Sequence, residues 1–189
     1  MSLLVWLVVA LSLSSTLVAG GDCPGAHRNM TMEAACREAC GPAPAGEPMY
    51  QVCTHALGDD YRAGAVKEAY LFAYDAAWRV VESYGTTAGW AQHVLGNGML
   101  TGDEKAAYGL VASGTYREAG ATMEQVADRV AERHCGLDVS AEYRTALRGV
   151  GECSDRLAKL PPSPLLAMVE EDYNSTLLAF MLGKLIGVE

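Results

Sequence analysis

Six cysteines are the residues of this sequence whose chemistry depends most on spacing and surroundings. Three of them lie within CREACGPAPAGEPMYQVC, residues 36–53, and the full set is Cys23, Cys36, Cys40, Cys53, Cys135 and Cys153. Thiolates can ligate zinc, carry out redox chemistry in a CxxC motif, or pair as disulfides. His27, His55 and His134 are the candidate zinc partners, but neither a CxxC pair nor an HxxxH pair is present. The spacing therefore predicts no metal site, no cofactor and a structural role for the cysteines.

The N-terminal segment places these cysteines in an oxidising compartment. Residues 1–21, MSLLVWLVVALSLSSTLVAGG, run from an apolar stretch to small residues, which is typical of a secretory signal peptide cleaved before Asp22. A membrane anchor is disfavoured because the apolar run is short and has no flanking charge. We predict a secreted, extracellular protein formed by one domain, residues 22–189. In that setting one of Cys36 or Cys40 should bond Cys53 across the GPAPAGEP turn, clamping two short helices into a hairpin.

Two further features fit a secreted protein with a protein partner. Asn29-Met30-Thr31 and Asn174-Ser175-Thr176 are N-glycosylation sequons, so Asn29 and Asn174 are candidate modification sites. The chain has 14 Lys and Arg against 23 Asp and Glu, a formal net charge of −9. This charge disfavours nucleic acids and anionic polysaccharides and favours a partner with a basic surface.

No arrangement of residues indicates catalysis, so the chain is not expected to be an enzyme. Ser113 lies in ASGTY without the GxSxG elbow of a nucleophilic serine. Glu170, Glu171 and Asp172 are consecutive, so they fan around a helix instead of converging as an acid–base pair. We expect these three carboxylates on a solvated helix face.

Apolar residues recur at helical spacing through most of the chain. Two short helices are predicted at about 30–40 and 48–57. A long helix over about 66–84 is followed by a break between 85 and 102. A second helix begins at a cap on Thr101 or Asp103 and closes at 134–136, and a third runs from about Val139 to Leu157 with Ser140 as cap. A last helix follows PPSP, residues 161–164, and buries Leu166, Val169, Tyr173, Leu177, Phe180 and Met181. A C-terminal lipid-anchor signal is disfavoured because it lacks a polar spacer and Lys184 interrupts its apolar tail.

These helices predict an all-α fold, an antiparallel up-and-down four-helix bundle preceded by the clamped helical hairpin. Three stretches carry a resemblance to a known family: CREAC with MYQVCTHALG, TYREAGATMEQV with Tyr116 and Ala119, and LDVSAEYRTALRGVGEC ending at Cys153. Together they resemble the plant invertase and pectin methylesterase inhibitor family.

The resemblance implies two more disulfides. Cys135 would pair with Cys153 and join the second and third bundle helices, although the family's own cysteine would fall near Ala112. Cys23 would then bond whichever of Cys36 or Cys40 remains, as Cys23–Cys36 or Cys23–Cys40. The clamp itself is correspondingly Cys40–Cys53 or Cys36–Cys53.

The resemblance also implies a function, the inhibition of another enzyme by a monomer that covers its cleft in a one-to-one complex. Invertase inhibitors of the family insert a Pro-Lys-Phe motif, and this chain has Gly136-Leu137-Asp138 at the corresponding place. That difference favours pectin methylesterase as the partner. Acid invertase, or a non-inhibitory binding role in the plant cell wall, is the alternative. The contact residues are expected on the exposed side of the second and third bundle helices: Tyr116, Arg117, Glu118, Glu142, Arg144, Thr145, Arg148 and Glu152, the last standing where the family often has Thr.

Overall fold

A computed structural model describes residues 25–58, 61–133 and 136–189. The signal segment, Cys23 and Cys135 lie outside these ranges. Within them the chain forms a two-stranded sheet and seven helices. The strands are β1 (Asn29–Thr31) and β2 (Val66–Glu68), and the helices are α1 (Met32–Cys40), α2 (Glu47–Gly58), α3 (Ala69–Gly96), α4 (Gly102–Ser113), α5 (Thr115–Ala131), α6 (Ser140–Leu157) and α7 (Pro164–Leu185).

Four long helices form the body of the molecule. α3 packs on α5, α5 on α6, α6 on α7, and α7 returns to α3, while α4 contacts α3, α5 and α6. Large side chains such as Phe72, Tyr116, Met123, Tyr143 and Leu182 are fully buried between the helices. The predicted helical bundle with an N-terminal hairpin is confirmed.

The sequence predicted a break in the helix between residues 85 and 102, and the first half of this prediction is wrong. α3 continues through GTTAGW, residues 85–90, and ends only at Gly96. Helical glycine is unfavourable by about 1 kcal/mol relative to alanine. Thr87 and Ala91 nevertheless turn into the core, with 1% and 0% of their surface exposed, and this packing keeps the segment helical.

The second predicted helix divides in two at Gly114. Its start is confirmed at Thr101, whose hydroxyl accepts from the Glu104 backbone N–H while the Glu104 carboxylate accepts from the Thr101 N–H at 2.8 Å. Gly114 has φ −98° and ψ −139°, outside the helical range, so α4 and α5 are separate helices. α5 ends at Ala131, before the predicted close. Ser140 is the first residue of α6, and the cap is Val139.

The hairpin is closed by Cys36 and not by Cys40. Cys36 of α1 and Cys53 of α2 are disulfide-bonded with their Cα atoms 5.6 Å apart, and both are fully buried. Cys40 follows one turn later with a buried free thiol. The Cys36–Cys53 alternative is confirmed and Cys40–Cys53 is wrong. Since Cys36 is already paired, Cys23–Cys36 is excluded, and the free Cys40 thiol contradicts Cys23–Cys40.

The predicted Cys135–Cys153 bond is also wrong, because Cys153 carries a free thiol. Its sulfur lies 3.7 Å from the Thr115 hydroxyl, at the beginning of α5.

A small sheet that the sequence did not reveal ties the N-terminal segment to the bundle. Asn29 pairs with Glu68 and Thr31 with Val66 in an antiparallel register. The contact continues past the strands, since the Ala69 N–H donates to the Arg28 carbonyl at 2.8 Å. Three-residue strands are too short to leave a period-two pattern in the sequence.

The disulfide assignment predicts a difference between two cysteine variants. Removing the clamp with Cys36→Ala and Cys53→Ala should lower the free energy of unfolding by about 3 kcal/mol, because the unfolded chain regains the entropy of a closed loop. Cys40→Ala keeps the clamp and is the matched control. Denaturant unfolding measures both, and a Cys40→Ala protein as unstable as the double variant would contradict the assignment.

A second prediction concerns the closest approach of α5 and α6, at Gly149. A Cβ atom there would lie 3.0 Å from the Thr115 carbonyl oxygen and 3.2 Å from the Ala119 Cβ atom. We expect Gly149→Ala to lower the melting temperature, since the helices must separate to admit the methyl group. Gly109→Ala on α4 is the control, because its Cβ would meet no atom within 4 Å and should stabilise the helix. Equal gains at both positions would be inconsistent with tight packing at Gly149.

Candidate functional site

The predicted contact residues, apart from Tyr116 and Arg117, lie along α5 and α6 on a surface here called the α5–α6 face. Glu118 is exposed on the first turn of α5. Arg117 is exposed as well, but it lines a groove between α3 and α5. Glu142, Arg144, Thr145, Arg148 and Glu152 follow along α6, where all but the half-buried Glu142 are exposed. The sequence therefore identified residues that the tertiary structure brings to one surface.

Two features hold this face in shape. Arg129 of α5 donates from Nη1 to Oε1 of Glu142 on α6 at 3.0 Å, bridging the groove between the helices. At the other end, Gly149 allows the α6 backbone to contact the α5 backbone at Thr115. The face carries both cationic and anionic side chains, so it can form charge pairs with a partner of mixed surface charge.

Tyr116 is not part of the face. Its side chain has 0% of its surface exposed and points into the bundle. The centroid of its ring lies 4.9 Å from the ring centroid of Tyr84 on α3. The prediction that it contacts a partner is wrong. Tyr116 occupies the inward position of the first turn of α5, whereas Arg117 and Glu118 lie on the outward side.

The hydroxyl of Tyr116 donates to a carboxylate that the sequence analysis placed in solvent. Asp172 of α7 has only 1% of its surface exposed. Its Oδ2 accepts from Tyr116 of α5 and its Oδ1 accepts from Ser83 of α3. One buried carboxylate thus joins three of the four bundle helices.

More hydroxyl groups extend this network. The Thr176 hydroxyl donates to the Asp172 backbone carbonyl at 2.7 Å and lies 2.7 Å from the Tyr84 hydroxyl. Because the Thr176 proton is already committed to the carbonyl, the Tyr84 hydroxyl is the donor in that pair. The buried polar groups are mutually satisfied, which favours a single arrangement of the helices.

The inward stripe of α7 differs from the predicted one by about one position. The buried residues are Leu165, Val169, Asp172, Thr176, Leu178, Ala179, Leu182 and Gly183. Only Val169 belongs to both sets, and Tyr173 is exposed. Asp172 and Thr176 were missed because a sequence reading assigns polar residues to the outside. The sequence did contain a signal for their burial, because apolar residues lie three or four positions before and after them, at helical spacing.

Burial shifts the ionisation of this network. Loss of hydration raises the pKa of Asp172, while the hydrogen bonds from Ser83, Tyr116 and Thr87 act in the opposite direction and nearby Glu171 raises it further. Burial also raises the pKa of Tyr84 and that of Tyr116. The network is closed to solvent, so it holds helices in place and offers no group for catalysis on a substrate.

The remaining chemical groups do not converge. Across the described ranges, no cluster of three or more His, Cys, Asp or Glu side chains is placed to hold a metal ion. Nδ1 of His27 lies 3.7 Å from Oε2 of Glu68, near the sheet. His55 lies on α2, and His93 lies at the end of α3. Burial raises the pKa of Cys40 and that of Cys153, so both thiols are poor nucleophiles. None of the described helices is both long and apolar enough to cross a membrane.

Both sequons lie at the surface. Asn29 is exposed on β1 and Asn174 is exposed on α7, while Thr176 of the second sequon is buried in the Asp172 network. Glycosylation at Asn29 and Asn174 stays a prediction.

Comparison with known proteins identifies the fold. No protein-family model and no curated protein matches the sequence. Among solved structures, the chain is similar to the crystal structure of mutant form A of a pectin methylesterase inhibitor from Arabidopsis, with a TM-score of 0.63 and 15% sequence identity. The match covers 74% of this chain and 91% of the other. The chain therefore has the fold of a pectin methylesterase inhibitor, and the predicted resemblance is confirmed at the level of fold.

The buried carboxylate predicts a specific dependence of stability on pH. With a folded pKa above the ordinary 3.8, Asp172 keeps its proton in the folded state while the unfolded chain releases it. This contribution to stability is complete below the unfolded pKa and is lost as the pH rises through the folded pKa. Compared with Asp172→Asn, which is neutral throughout, the parent protein should lose stability as the pH rises above about 4 and through the folded pKa of Asp172.

Thermal unfolding across that range measures the effect. Glu170→Gln is the control, because it removes another carboxylate of α7 that is exposed. If the stability difference between the parent protein and Asp172→Asn stays constant with pH, Asp172 does not titrate as its burial requires.

Proposed function

We propose that this chain is a secreted protein inhibitor that covers the substrate cleft of a pectin methylesterase in a non-covalent one-to-one complex. The observation that supports it most directly is the fold, which a pectin methylesterase inhibitor from Arabidopsis shares over 91% of its length. The N-terminal segment and the disulfide clamp support secretion to the cell wall.

The α5–α6 face is the surface proposed to bind the enzyme. It lies on two packed helices, so its side chains are presented by a rigid backbone and little entropy is lost when a partner binds. The Arg129–Glu142 pair and the Gly149 contact fix the two helices relative to each other. Inhibition in this form needs no catalytic group, only a surface that excludes substrate.

The charge of the chain contributes to the rate of association. A formal charge of −9 attracts a basic enzyme over distances near the Debye length, about 8 Å at physiological ionic strength. The arginines of the face, Arg144 and Arg148, then set orientation through local pairs with acidic groups of the enzyme. Raising the salt concentration should slow association more than it speeds dissociation.

A titration of the oxidised protein, residues 22–189, against a plant pectin methylesterase tests the proposal. An acid invertase is measured in parallel, with both enzymes assayed at about pH 5 and about pH 7 to cover an acidic and a neutral medium. Stoichiometric inhibition of pectin methylesterase is the expected result. Inhibition of invertase alone would replace the target, and folded protein that is silent against both enzymes would contradict an inhibitory function.

A charge reversal locates the binding surface. We expect Arg148→Glu to weaken inhibition about tenfold or more, as for a residue near the centre of an interface. Lys105→Glu on α4 makes the same charge change at an exposed site away from the face and should alter inhibition less than about twofold. Equal effects of the two substitutions would remove the α5–α6 face as the contact surface.

A further inference from the structure

A groove between α6 and α7, here called the Tyr173 groove, opens beside the α5–α6 face. It has a volume of about 430 Å³ and is lined by Gly151, Ser154, Asp155, Glu170, Tyr173 and Asn174. The lining combines small residues at the floor, one aromatic ring and two carboxylates. No Lys or Arg lines it.

Gly151 provides the space for this groove. A Cβ atom at that position would lie 3.9 Å from Cε2 of Tyr173, so one edge of the ring lies against the α6 backbone. Tyr173 has 37% of its surface exposed. The other large apolar side chains that stand out in the described part of the chain, Val66 and Met99, lie on β2 and in the loop before α4. Tyr173 is therefore the exposed aromatic side chain of the bundle surface.

The two carboxylates of the groove have no cationic partner among the described residues. The ion pairs found there involve Glu38, Glu47, Glu68 and Glu142, and neither Asp155 nor Glu170 takes part. The Tyr173 ring likewise has no cation over it, although Tyr50, Tyr70 and Phe180 each do. The groove thus offers two negative charges and an open aromatic ring to a group from outside.

We propose that the Tyr173 groove receives an arginine side chain of the target enzyme. A guanidinium group stacks on an aromatic ring and donates several hydrogen bonds in its plane, so it can satisfy the ring and both carboxylates together. The ammonium group of lysine is compact and strongly hydrated, and it matches this combination less well. The inference rests on the proposed function, and it adds the kind of side chain that the enzyme presents.

The position of the groove supports this assignment. Gly151 is next to Glu152 and three residues after Arg148, so the groove adjoins the α5–α6 face along α6. A partner that covers that face would therefore also reach the groove, and no second, separate contact area is needed. An arginine buried in a pocket at such a position has the character of an interface hot spot.

Neutralising the groove tests the proposal. A glycan on Asn174 would cover the groove, so the proposal requires this sequon to be unoccupied, and the protein is produced in a host that adds no N-glycan. We expect Asp155→Asn with Glu170→Gln to weaken inhibition about tenfold or more, and Tyr173→Leu to weaken it as well. Glu82→Gln with Asp103→Asn, two exposed acids of α3 and α4, is the matched control with the same change in net charge and an expected effect below about twofold.

Circular dichroism and the melting temperature establish that each variant is folded. If the enzyme is inhibited and the groove variant behaves like its control, the arginine contact is overturned while the proposed function stands. If no enzyme is inhibited, the proposed function fails and the groove is judged by a second measurement.

That second measurement does not need an enzyme. The tripeptide acetyl-Gly-Arg-Gly-amide is titrated into the protein while the Tyr173 ring signals are followed by NMR, with the lysine peptide and Ca²⁺ as comparisons. We expect a saturable shift with the arginine peptide that is lost in the Asp155→Asn, Glu170→Gln variant. No shift, an equal shift with lysine, or a shift with Ca²⁺ alone would overturn the proposal.

Discussion

The bundle depends on one buried carboxylate. Asp172 on α7 accepts hydrogen bonds from Ser83 on α3 and Tyr116 on α5, so its position fixes three helices at the same level. Burying a carboxyl group is unfavourable unless its oxygens are satisfied, and any shift of one helix along another would leave them unpaired. Apolar packing alone tolerates such shifts. The polar network therefore selects one register from the several that the apolar stripes would allow.

The network acts together with two structural clamps at the N-terminal side. The Cys36–Cys53 bond joins α1 to α2, and the pairing of β1 with β2 joins the segment before α1 to the start of α3. Each restrains a short element that could not hold its position alone, since helices of nine and twelve residues are marginal in isolation. The bundle supplies the rigid body, and the clamps attach the hairpin to it.

The outward residues gain their arrangement from this inner order. Arg117 and Glu118 face outward because Tyr116, one position earlier, faces Asp172. Along α6, the buried Tyr143 and Val150 in the same way leave Arg144 and Arg148 outside. The α5–α6 face and the Tyr173 groove are thus consequences of how the core is filled. A protein that inhibits by covering a cleft needs this kind of fixed surface, and no moving part is required of it.

The sequence by itself determined the helical class, the hairpin, a helix start at Thr101 or Asp103 and most of the outward residues of α5 and α6. These features are local: helical period, cap chemistry and turn residues act within a few positions of the chain. Only the tertiary structure decided that Asp172 is buried, that Tyr116 points inward, that α3 continues through residues 85–90, and that Cys36 is the residue that pairs with Cys53 while Cys153 stays free. Each of these depends on which distant residue lies opposite, since a buried polar group or a thiol is stabilised by its partner and not by its neighbours in sequence.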